Sequence, residues 1–315
     1  RLGGATMGTS YSVKIAGAAL SASRSEALHA DIQSAFDGVD DGMTLYRATS
    51  ELRRFNAHSA GAVAVSDDFL TVVRAARETA FWSNGAFDPT VAPLVDAWGF
   101  GGAPRAGLPS DGAIAQHREA VGFGGLTVAP AQRAVVKDHD ALAVDFGGIA
   151  KGYGVDMVAR TLTAQGFEHF MIEAGGEVRT AGRNASGHPW AIGIEQPEAW
   201  PQHARHVVGL SGRAMATSGD YRNVIDHDGQ RYTHEIDPRT GRPIARGLAS
   251  VTVVADDAMQ ADALATALIV MGPERGLARA NRDGIAALFI LRDGDGTLTD
   301  APTAAFAALD ARRVV

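Results

Sequence analysis

The 315-residue chain contains no cysteine. This absence excludes disulfide bonds, thiolate metal sites and catalysis by a thiol, and it is compatible with an oxidising or a reducing compartment. The sequence also lacks any run of about eighteen apolar residues, so no membrane-spanning segment is predicted. There is no excess of basic residues either, because the net charge is −7, and this argues against a nucleic-acid partner.

The remaining composition is typical of a folded protein, with 46% hydrophobic and 21% charged residues. Strand-like and helix-like segments alternate, and neither a repeat nor a clean linker separates them. We therefore predict a mixed α/β (α+β) fold with one domain over residues 1–315 and a loop-rich elaboration at about 99–130. The chain begins at Arg1 rather than Met, so we expect a missing preceding segment, such as a signal peptide or a lipid anchor.

Local patterns predict several of the elements. Ser23 and Glu26 have the spacing of a capping box at the start of a helix. Gly85 is placed to end a helix in the left-handed conformation, and Asp228–Gly229 is typical of a hairpin turn. Helices are predicted over 23–43, 67–83, 149–166 and 257–271, and hairpins over 133–146, 223–236 and around 292–296.

The predicted helix over 257–271 is apolar nearly all round, which predicts that it is buried. Asp262 and Thr266 lie four residues apart and therefore share a face of this helix. An ionised carboxylate in such a helix needs a partner. A carboxylate and a hydroxyl one turn apart are oxygen ligands of the kind that Mg²⁺ prefers. The alternative is a salt bridge from Asp262 to an arginine, with Thr266 bonded to its own helix.

The segment "DFGGIAKGYGVD" over 145–156 predicts a turn from a strand into a helix. Asp145 stands at the strand end, and Lys151 lies at the start of the helix. Backbone N–H groups at a helix N-terminus favour an anion, and the lysine adds a positive charge there. Neither a P-loop nor a dinucleotide fingerprint is present. The alternative interpretation is a glycine-rich turn with a solvated lysine.

Two further segments carry polar side chains that could meet a ligand. Asp88 precedes a proline in "GAFDPT", which favours an extended backbone there. Trp98 and Phe100 follow it and could stack on a planar ring, or they could belong to the core. His234 lies in "THEIDPRTGRP" and is a candidate general base, although a loop histidine can also be simply exposed.

Taken together and in order, these segments resemble the FAD:protein FMN transferases, the ApbE-type flavin transferases. Any one segment alone is a weak indication, but together they extend in the same order from Met7 to Gly272. The matching segments are "MGTSYSVKI", "FDPTVAPLVDAWGFG", "DFGGIAKGYGVD", "EAGGEVRTAGRN", "PWAIGIEQP", "ATSGDYRN", "HEIDPRTGRP" and "ADALATALIVMG".

The resemblance implies a T-fold-like architecture with antiparallel sheets flanked by helices. It also implies an enzyme that uses Mg²⁺ and FAD, joins FMN through a phosphoester to a Thr or Ser hydroxyl of a partner protein, and releases AMP. It implies that His234 and Asp262 are catalytic. The family's flavin-nucleotide contacts fall here on Met7, Tyr46, Ala86, Phe87, Asp88, Asp145 and Lys151, and its metal contacts on Gly148, Asp262 and Thr266. Glu235 stands where the family more often has an apolar residue.

The resemblance further implies a periplasmic protein, in some cases anchored to the inner membrane. The expected partner is the flavin-acceptor subunit of a membrane redox complex, with an exposed Thr. One alternative is an FAD pyrophosphatase on the same scaffold, which releases free FMN and AMP to water. A second alternative is a non-catalytic flavin carrier or assembly factor. A metal-ligand pair on the 257–271 helix argues against the carrier, since a carrier has no evident need for Mg²⁺ between the phosphates.

Overall fold

A computed structural model describes residues 1–101, 107–221, 223–245 and 247–314. In chain order its strands are β1 (Leu2–Thr6), β2 (Thr9–Ile15), β3 (Gly61–Ala64), β4 (Leu126–Ala129), β5 (Ala134–Lys137), β6 (Phe170–Ala174), β7 (Glu177–Ala181), β8 (Trp190–Glu195), β9 (Ala204–Leu210), β10 (Ala214–Gly219), β11 (Val224–His227), β12 (Gln230–Thr233), β13 (Ile236–Asp237), β14 (Arg242–Pro243), β15 (Leu248–Ala255), β16 (Ala286–Arg292), β17 (Leu298–Pro302) and β18 (Ala311–Arg313).

The helices are α1 (Ala22–Met43), α2 (Glu51–Ala57), α3 (Asp67–Ser83), α4 (Ala92–Trp98), α5 (Asp111–Arg118), α6 (Ala150–Ala164), α7 (Ala258–Met271), α8 (Pro273–Arg282) and α9 (Ala304–Ala307). Within the described ranges no helix combines the length and the apolarity that crossing a membrane requires.

An antiparallel sheet of eight strands organises the molecule, in the order β1-β2-β6-β7-β10-β15-β16-β17. Smaller antiparallel groups join β18-β9-β8, β3-β5-β4, β11-β12 and β13-β14. Helices α1, α6 and α7 pack against the large sheet. The predicted mixed α+β class with antiparallel sheets and flanking helices is confirmed.

Every residue of β15 is buried, and α7 packs across β10 and β15. The apolar surface of α7 is therefore buried on several sides, as its sequence predicts. Asp257 caps the helix by accepting a hydrogen bond from the N–H of Gln260. This helix matters for the site because it carries Asp262 and Thr266 on the side that faces α6.

Each of helices α6 and α7 carries a carboxylate that accepts hydrogen bonds from N–H groups at the start of the other helix. Asp156 of α6 accepts hydrogen bonds from the N–H groups of Ala258 and Met259, at 3.0 and 2.9 Å. Asp262 of α7 accepts one from the N–H of Gly152, at 3.0 Å. Each carboxylate thus stabilises the N–H groups that a helix start leaves without partners. A Cβ atom on Gly152 would lie 2.2 Å from the carbonyl oxygen of Ala258, so this crossing requires glycine.

Two local predictions are wrong. Residues 133–146 do not form a hairpin, because β5 pairs with β3 and β4 instead. The side chain of Asn56 bonds both the N–H and the C=O of Val144, which leaves that residue no bonds for a strand. The capping box is also wrong, because the first helix begins at Ala22 and Ser21 caps it.

The other local predictions are confirmed. Helix α3 spans 67–83 and is followed by Gly85 in the left-handed conformation, and Gly166 likewise follows the end of α6. Strands β11 and β12 form the predicted hairpin over Asp228–Gly229, and β16 and β17 form the last one. The predicted elaboration at 99–130 contains α5 and β4, while its residues 102–106 lie outside the described residues. The one-domain organisation stays a prediction.

Candidate active site

One cavity of about 460 Å³ brings together all the side chains and glycines that the sequence singled out for the site. It lies between the start of α6, the inner face of α7 and the β12–β13 segment. Its lining includes Met7, Tyr46, Ala86, Phe87, Asp88, Asp145, Gly148, Lys151, His234, Asp262 and Thr266. These residues come from widely separated parts of the chain, so the fold has assembled one site from them; their individual roles stay predictions.

Asp262 is a buried carboxylate of the site, with 3% of its surface exposed. One oxygen accepts the N–H of Gly152, and the other lies 3.7 Å from Nζ of Lys151. Burial raises the pKa of Asp262, while Lys151 and the Gly152 N–H oppose that change. The predicted alternative of an arginine partner is not what the structure has, since the nearby cation is a lysine.

Lys151 bridges Asp262 and a second buried carboxylate, Glu177 at the start of β7. Its Nζ lies 3.0 Å from Oε1 of Glu177. Burial by itself would lower the pKa of Lys151, but the two carboxylates outweigh it and raise the pKa above its usual value. Lys151 is therefore a firmly charged ammonium inside the cavity, and the interpretation of a solvated lysine is wrong.

Glu177 is a site residue that sequence reasoning did not single out. Burial raises its pKa to about 8, against the opposing effect of Lys151. Its Oε2 atom is buried and has no hydrogen-bond partner among the described residues. The turn before it uses Gly175 and Gly176 at positive φ, 63° and 107°. An acidic residue directly after such a turn was the available signal, but its partner Lys151 is remote in sequence.

Thr266 lies one turn after Asp262 and faces the same cavity. Its Oγ1 is 3.2 Å from Oγ of Ser218 on β10, so the hydroxyl is bonded across to the sheet. A Cβ atom at Gly148 would lie 2.8 Å from Thr266 Oγ1, which is too close for any side chain. Glycine at this position therefore lets the backbone before α6 approach the threonine.

The predicted phosphate cradle at the start of α6 has fewer free N–H groups than the sequence indicates. Asp145 accepts the N–H of Gly147 at 2.7 Å, and Asp262 already holds that of Gly152. The N–H groups of Ile149 and Ala150 both donate to Phe146 O. Burial raises the pKa of Asp145, with the Gly147 N–H opposing it. The positive charge available to an anion here is mainly that of Lys151.

Asp88 is held by the protein itself. One oxygen accepts from the N–H and the hydroxyl of Thr90, and the other accepts from the N–H of Phe123. Burial raises its pKa, and these hydrogen bonds oppose the change. Asp88 thus fixes the loop before α4 to the segment before β4, and shapes this wall of the cavity.

The aromatic residues divide between core and cavity. Trp98 is buried and donates its Nε1–H to the carbonyl of Gly241, so it belongs to the core. Phe100 lines the cavity and meets the His234 ring edge-on, with 6.3 Å between ring centroids. Tyr46 is 78% exposed at the cavity rim. Met7 adopts a φ of 42° and packs towards Gly154 of α6.

His234 lies at the cavity edge, with 35% of its side chain exposed. Its Nδ1 is 3.2 Å from the carbonyl oxygen of Asn223. Its Nε2 is 3.6 Å from Oε1 of Glu235, a residue that is 8% exposed. Burial raises the pKa of Glu235, and His234 and Lys151 oppose this effect. An exposed loop histidine is therefore too simple a description, because a buried carboxylate lies behind this one.

Comparison with known proteins gives consistent results. The ApbE family model matches residues 7–289. A Vibrio cholerae serotype O1 protein named FAD:protein FMN transferase is 44% identical over 94% of this chain and 88% of its own length. The Escherichia coli K12 protein of the same name is 36% identical over 95% of this chain and 86% of its own.

Solved structures lead to the same family. The flavin transferase ApbE from Vibrio cholerae superposes with a TM-score of 0.87, at 42% identity and 98% coverage of both chains. The apo flavinyl transferase ApbE from Pseudomonas stutzeri also gives a TM-score of 0.87, at 39% identity over 98% of this chain and 95% of that one. The family predicted from the sequence is thus confirmed, and the chain belongs to the ApbE family and is a transferase.

Proposed function

We propose that this protein transfers FMN from FAD to a Thr or Ser hydroxyl of a partner protein, in a reaction that requires Mg²⁺ and releases AMP. The observation that carries the proposal is the buried group of Asp262, Lys151 and Glu177 beside Thr266 and Gly148, in the wall of one open cavity. The relatives named FAD:protein FMN transferase support the choice of substrate.

The residues present fit a magnesium ion. Within the described ranges no three His, Asp or Glu side chains are grouped to hold a metal by themselves. Mg²⁺, however, is commonly bound by one or two carboxylates together with waters and substrate phosphates. Asp262, the Thr266 hydroxyl and the Gly148 backbone supply hard oxygen donors on one side of the cavity. Two buried carboxylates share the Lys151 ammonium, so the site carries one more negative than positive charge when both are ionised, which favours a cation.

Cleavage of a pyrophosphate builds negative charge on the bridging and leaving oxygens. A bound Mg²⁺ would supply charge neutralisation at those oxygens. Lys151, which stays charged in this environment, would bind the phosphates from the α6 side of the cavity. Asp262 and Glu177 fix the position of the ammonium from two directions. The contribution of the protein is then mainly positioning and electrostatic stabilisation, so neither a thiol nor a serine nucleophile is required.

His234 is proposed to take the proton from the acceptor hydroxyl. Its partial exposure at the cavity edge suits a group that must meet a protein substrate arriving from outside. Phe87, Ala86, Met7 and the exposed Tyr46 also line the cavity and are proposed to hold the flavin nucleotide. The same exposure would also admit water, so an FAD pyrophosphatase is the alternative outcome for this site.

The acceptor is proposed to be a subunit of a membrane redox complex, and the location is proposed to be the periplasm, with or without an anchor to the inner membrane. The support for both is the family resemblance in the sequence.

The test is to incubate the protein with FAD and a domain that carries a candidate acceptor Thr, with and without Mg²⁺. The acceptor is weighed by mass spectrometry, and the nucleotides are separated by chromatography. An acceptor heavier by one FMN, with AMP released only when Mg²⁺ is present, is the expected result. Free FMN beside an unmodified acceptor would instead favour the pyrophosphatase. Intact FAD under every condition would favour a carrier and contradict the proposal.

A further inference from the structure

The hydrogen bond at Nδ1 defines the protonation pattern of the His234 ring. The carbonyl oxygen of Asn223 can only accept, so Nδ1 must carry the hydrogen in this 3.2 Å contact. In the neutral ring Nε2 is therefore the unprotonated nitrogen, and its lone pair is the basic one. The backbone N–H of His234 donates to the same carbonyl at 3.1 Å, which holds His234 to the residue directly before β11.

Glu235 lies next to that basic nitrogen, with its Oε1 3.6 Å from Nε2. This distance exceeds a hydrogen bond to the neutral ring, yet it is well within the range of strong charge interaction. No hydrogen bond to the Glu235 carboxylate comes from another described residue, and 8% of the residue is exposed. The Glu235 carboxylate therefore lies 3.6 Å from a ring nitrogen that becomes positively charged when it binds a proton.

The charges around the pair are mixed. Glu235 faces Lys151 and His234 as cations, and Asp262 and Asp220 as further carboxylates. Asp145 also acts on His234 from the other side of the cavity. Asp220 accepts hydrogen bonds from Arg292 on both of its oxygens. Asp262 accepts the Gly152 N–H with one oxygen, and its other oxygen faces Lys151. Glu235 is the carboxylate closest to the basic nitrogen.

We propose that Glu235 is a positioning residue that stabilises the protonated form of His234 during FMN transfer, an inference that rests on the proposed function. The acceptor hydroxyl loses its proton to Nε2 of His234 as its oxygen forms a bond to the FMN phosphorus. The bond from that phosphorus to the bridging oxygen breaks, and AMP leaves with the electron pair. The new imidazolium then lies against the Glu235 carboxylate, which offsets its charge.

Glu235→Gln tests this assignment, because glutamine keeps the shape and removes the charge. Asp226→Asn is the matched control, since Asp226 is an exposed acid on β11, in the β11–β12 hairpin that precedes Glu235, and pairs with Arg231. The His234 ring resonance is followed by NMR against pH and is identified by its loss in His234→Gln. In Glu235→Gln its titration midpoint should move to lower pH, because the neighbouring negative charge is gone. In Asp226→Asn it should not move.

The transfer rate gives the second measurement. In Glu235→Gln, kcat at neutral pH should fall about ten-fold with an unchanged KM for FAD, and Glu235→Asp should recover part of the loss. The proposal would be overturned if the His234 midpoint did not move in Glu235→Gln. It would also be overturned if the midpoint moved but Glu235→Gln had the same kcat as Asp226→Asn. If the wild type modifies no acceptor while the midpoint still moves in Glu235→Gln, the proposed function is wrong, but the charge interaction between His234 and Glu235 is still established. Equal melting temperatures of the variants exclude unfolding as the cause.

Discussion

Two buried aspartates, Asp156 and Asp262, occupy equivalent places in the crossing of α6 and α7, yet their surroundings differ. Both oxygens of Asp156 accept backbone N–H groups of α7, and Arg179 lies 4.0 Å away. Asp262 accepts a single N–H, and its second oxygen faces Lys151 and the cavity. Burial raises the pKa of both carboxylates.

The difference separates a structural carboxylate from a functional one. Asp156 has its hydrogen-bonding capacity filled by the chain, so its contribution is to the stability of the helix pair. Asp262 has a second oxygen that accepts no hydrogen bond from another described residue and faces Lys151 and the cavity. The two aspartates thus differ in how many of their oxygens accept hydrogen bonds from the backbone. The second oxygen of Asp262, which accepts none, faces the cavity.

The largest expected effect is that of Asp262→Asn. FMN transfer should fall about 10³-fold or more, because the variant removes the carboxylate that is proposed to bind the metal beside the phosphates. Unfolding should change little, since the asparagine oxygen can still accept the Gly152 N–H. The rate is measured by acceptor mass with saturating FAD and Mg²⁺, and folding by circular dichroism. A rate within a few-fold of wild type would remove Asp262 from the site.

The matched change, Asp156→Asn, should have the opposite effect. The free energy of unfolding should fall by about 2 kcal/mol, because two charge-assisted hydrogen bonds at the start of α7 are weakened. The transfer rate below the melting transition should remain within a few-fold of wild type. Urea denaturation and the same transfer assay measure the two effects. Loss of turnover in a stably folded Asp156→Asn would contradict the division between the two carboxylates.

Gly152→Ala tests the crossing itself. The added Cβ would lie 2.2 Å from the backbone oxygen of Ala258, so the two helices must separate. We expect a loss of about 1–3 kcal/mol in unfolding free energy. Gly38→Ala on α1 is the control, because nothing lies within 4 Å of its added Cβ, and it should stabilise by about 0.5–1 kcal/mol. Equal effects at the two glycines would show that the helix crossing is loosely packed.

Glu177→Gln gives the smallest effect, in the pH dependence of stability. The folded pKa of Glu177, about 8, lies above that of the unfolded chain. Its contribution to stability is therefore present below the unfolded pKa of about 4.3 and is lost as the pH rises through about 8. Between pH 5 and 9, the metal-free wild type should therefore lose stability more steeply than metal-free Glu177→Gln. Parallel pH profiles would mean that Glu177 is ionised in the folded protein throughout.

The elements that follow from local sequence were the ones that could be predicted. Helix α7 begins at the Asp257 cap and ends before Gly272, and both signals lie in adjacent residues. The second half of the hairpin predicted over 133–146 was wrong because its alternating pattern is local. The bonds that prevent pairing come from remote residues, namely Asn56 and Pro89, whose carbonyl accepts the Asp145 N–H. The order of the large sheet, in which β10 lies between β7 and β15, carries no local signal at all.

The site likewise contains residues that local sequence predicts and contacts that it does not. Residues in recognisable segments, such as Asp262 and His234, were predicted, and the fold brings them to one cavity. The ion pair between Lys151 and Glu177 was missed because it joins a helix start to a strand start. Only the structure reveals that the Asp88 carboxylate already accepts hydrogen bonds from Thr90 and Phe123. Pairwise geometry decides which polar residues are free to act, and sequence patterns do not contain it.

The most direct test of the account is to count bound ions in wild type, Asp156→Asn and Asp262→Asn. Mn²⁺ serves as a paramagnetic stand-in for Mg²⁺, and free Mn²⁺ is measured by electron paramagnetic resonance during a titration at pH 7.5 in the presence of FAD. The account predicts one ion per chain for wild type and for Asp156→Asn, and binding weakened at least about ten-fold in Asp262→Asn. Equal binding by all three proteins would contradict it, because the cavity carboxylate would then have no part in holding the metal.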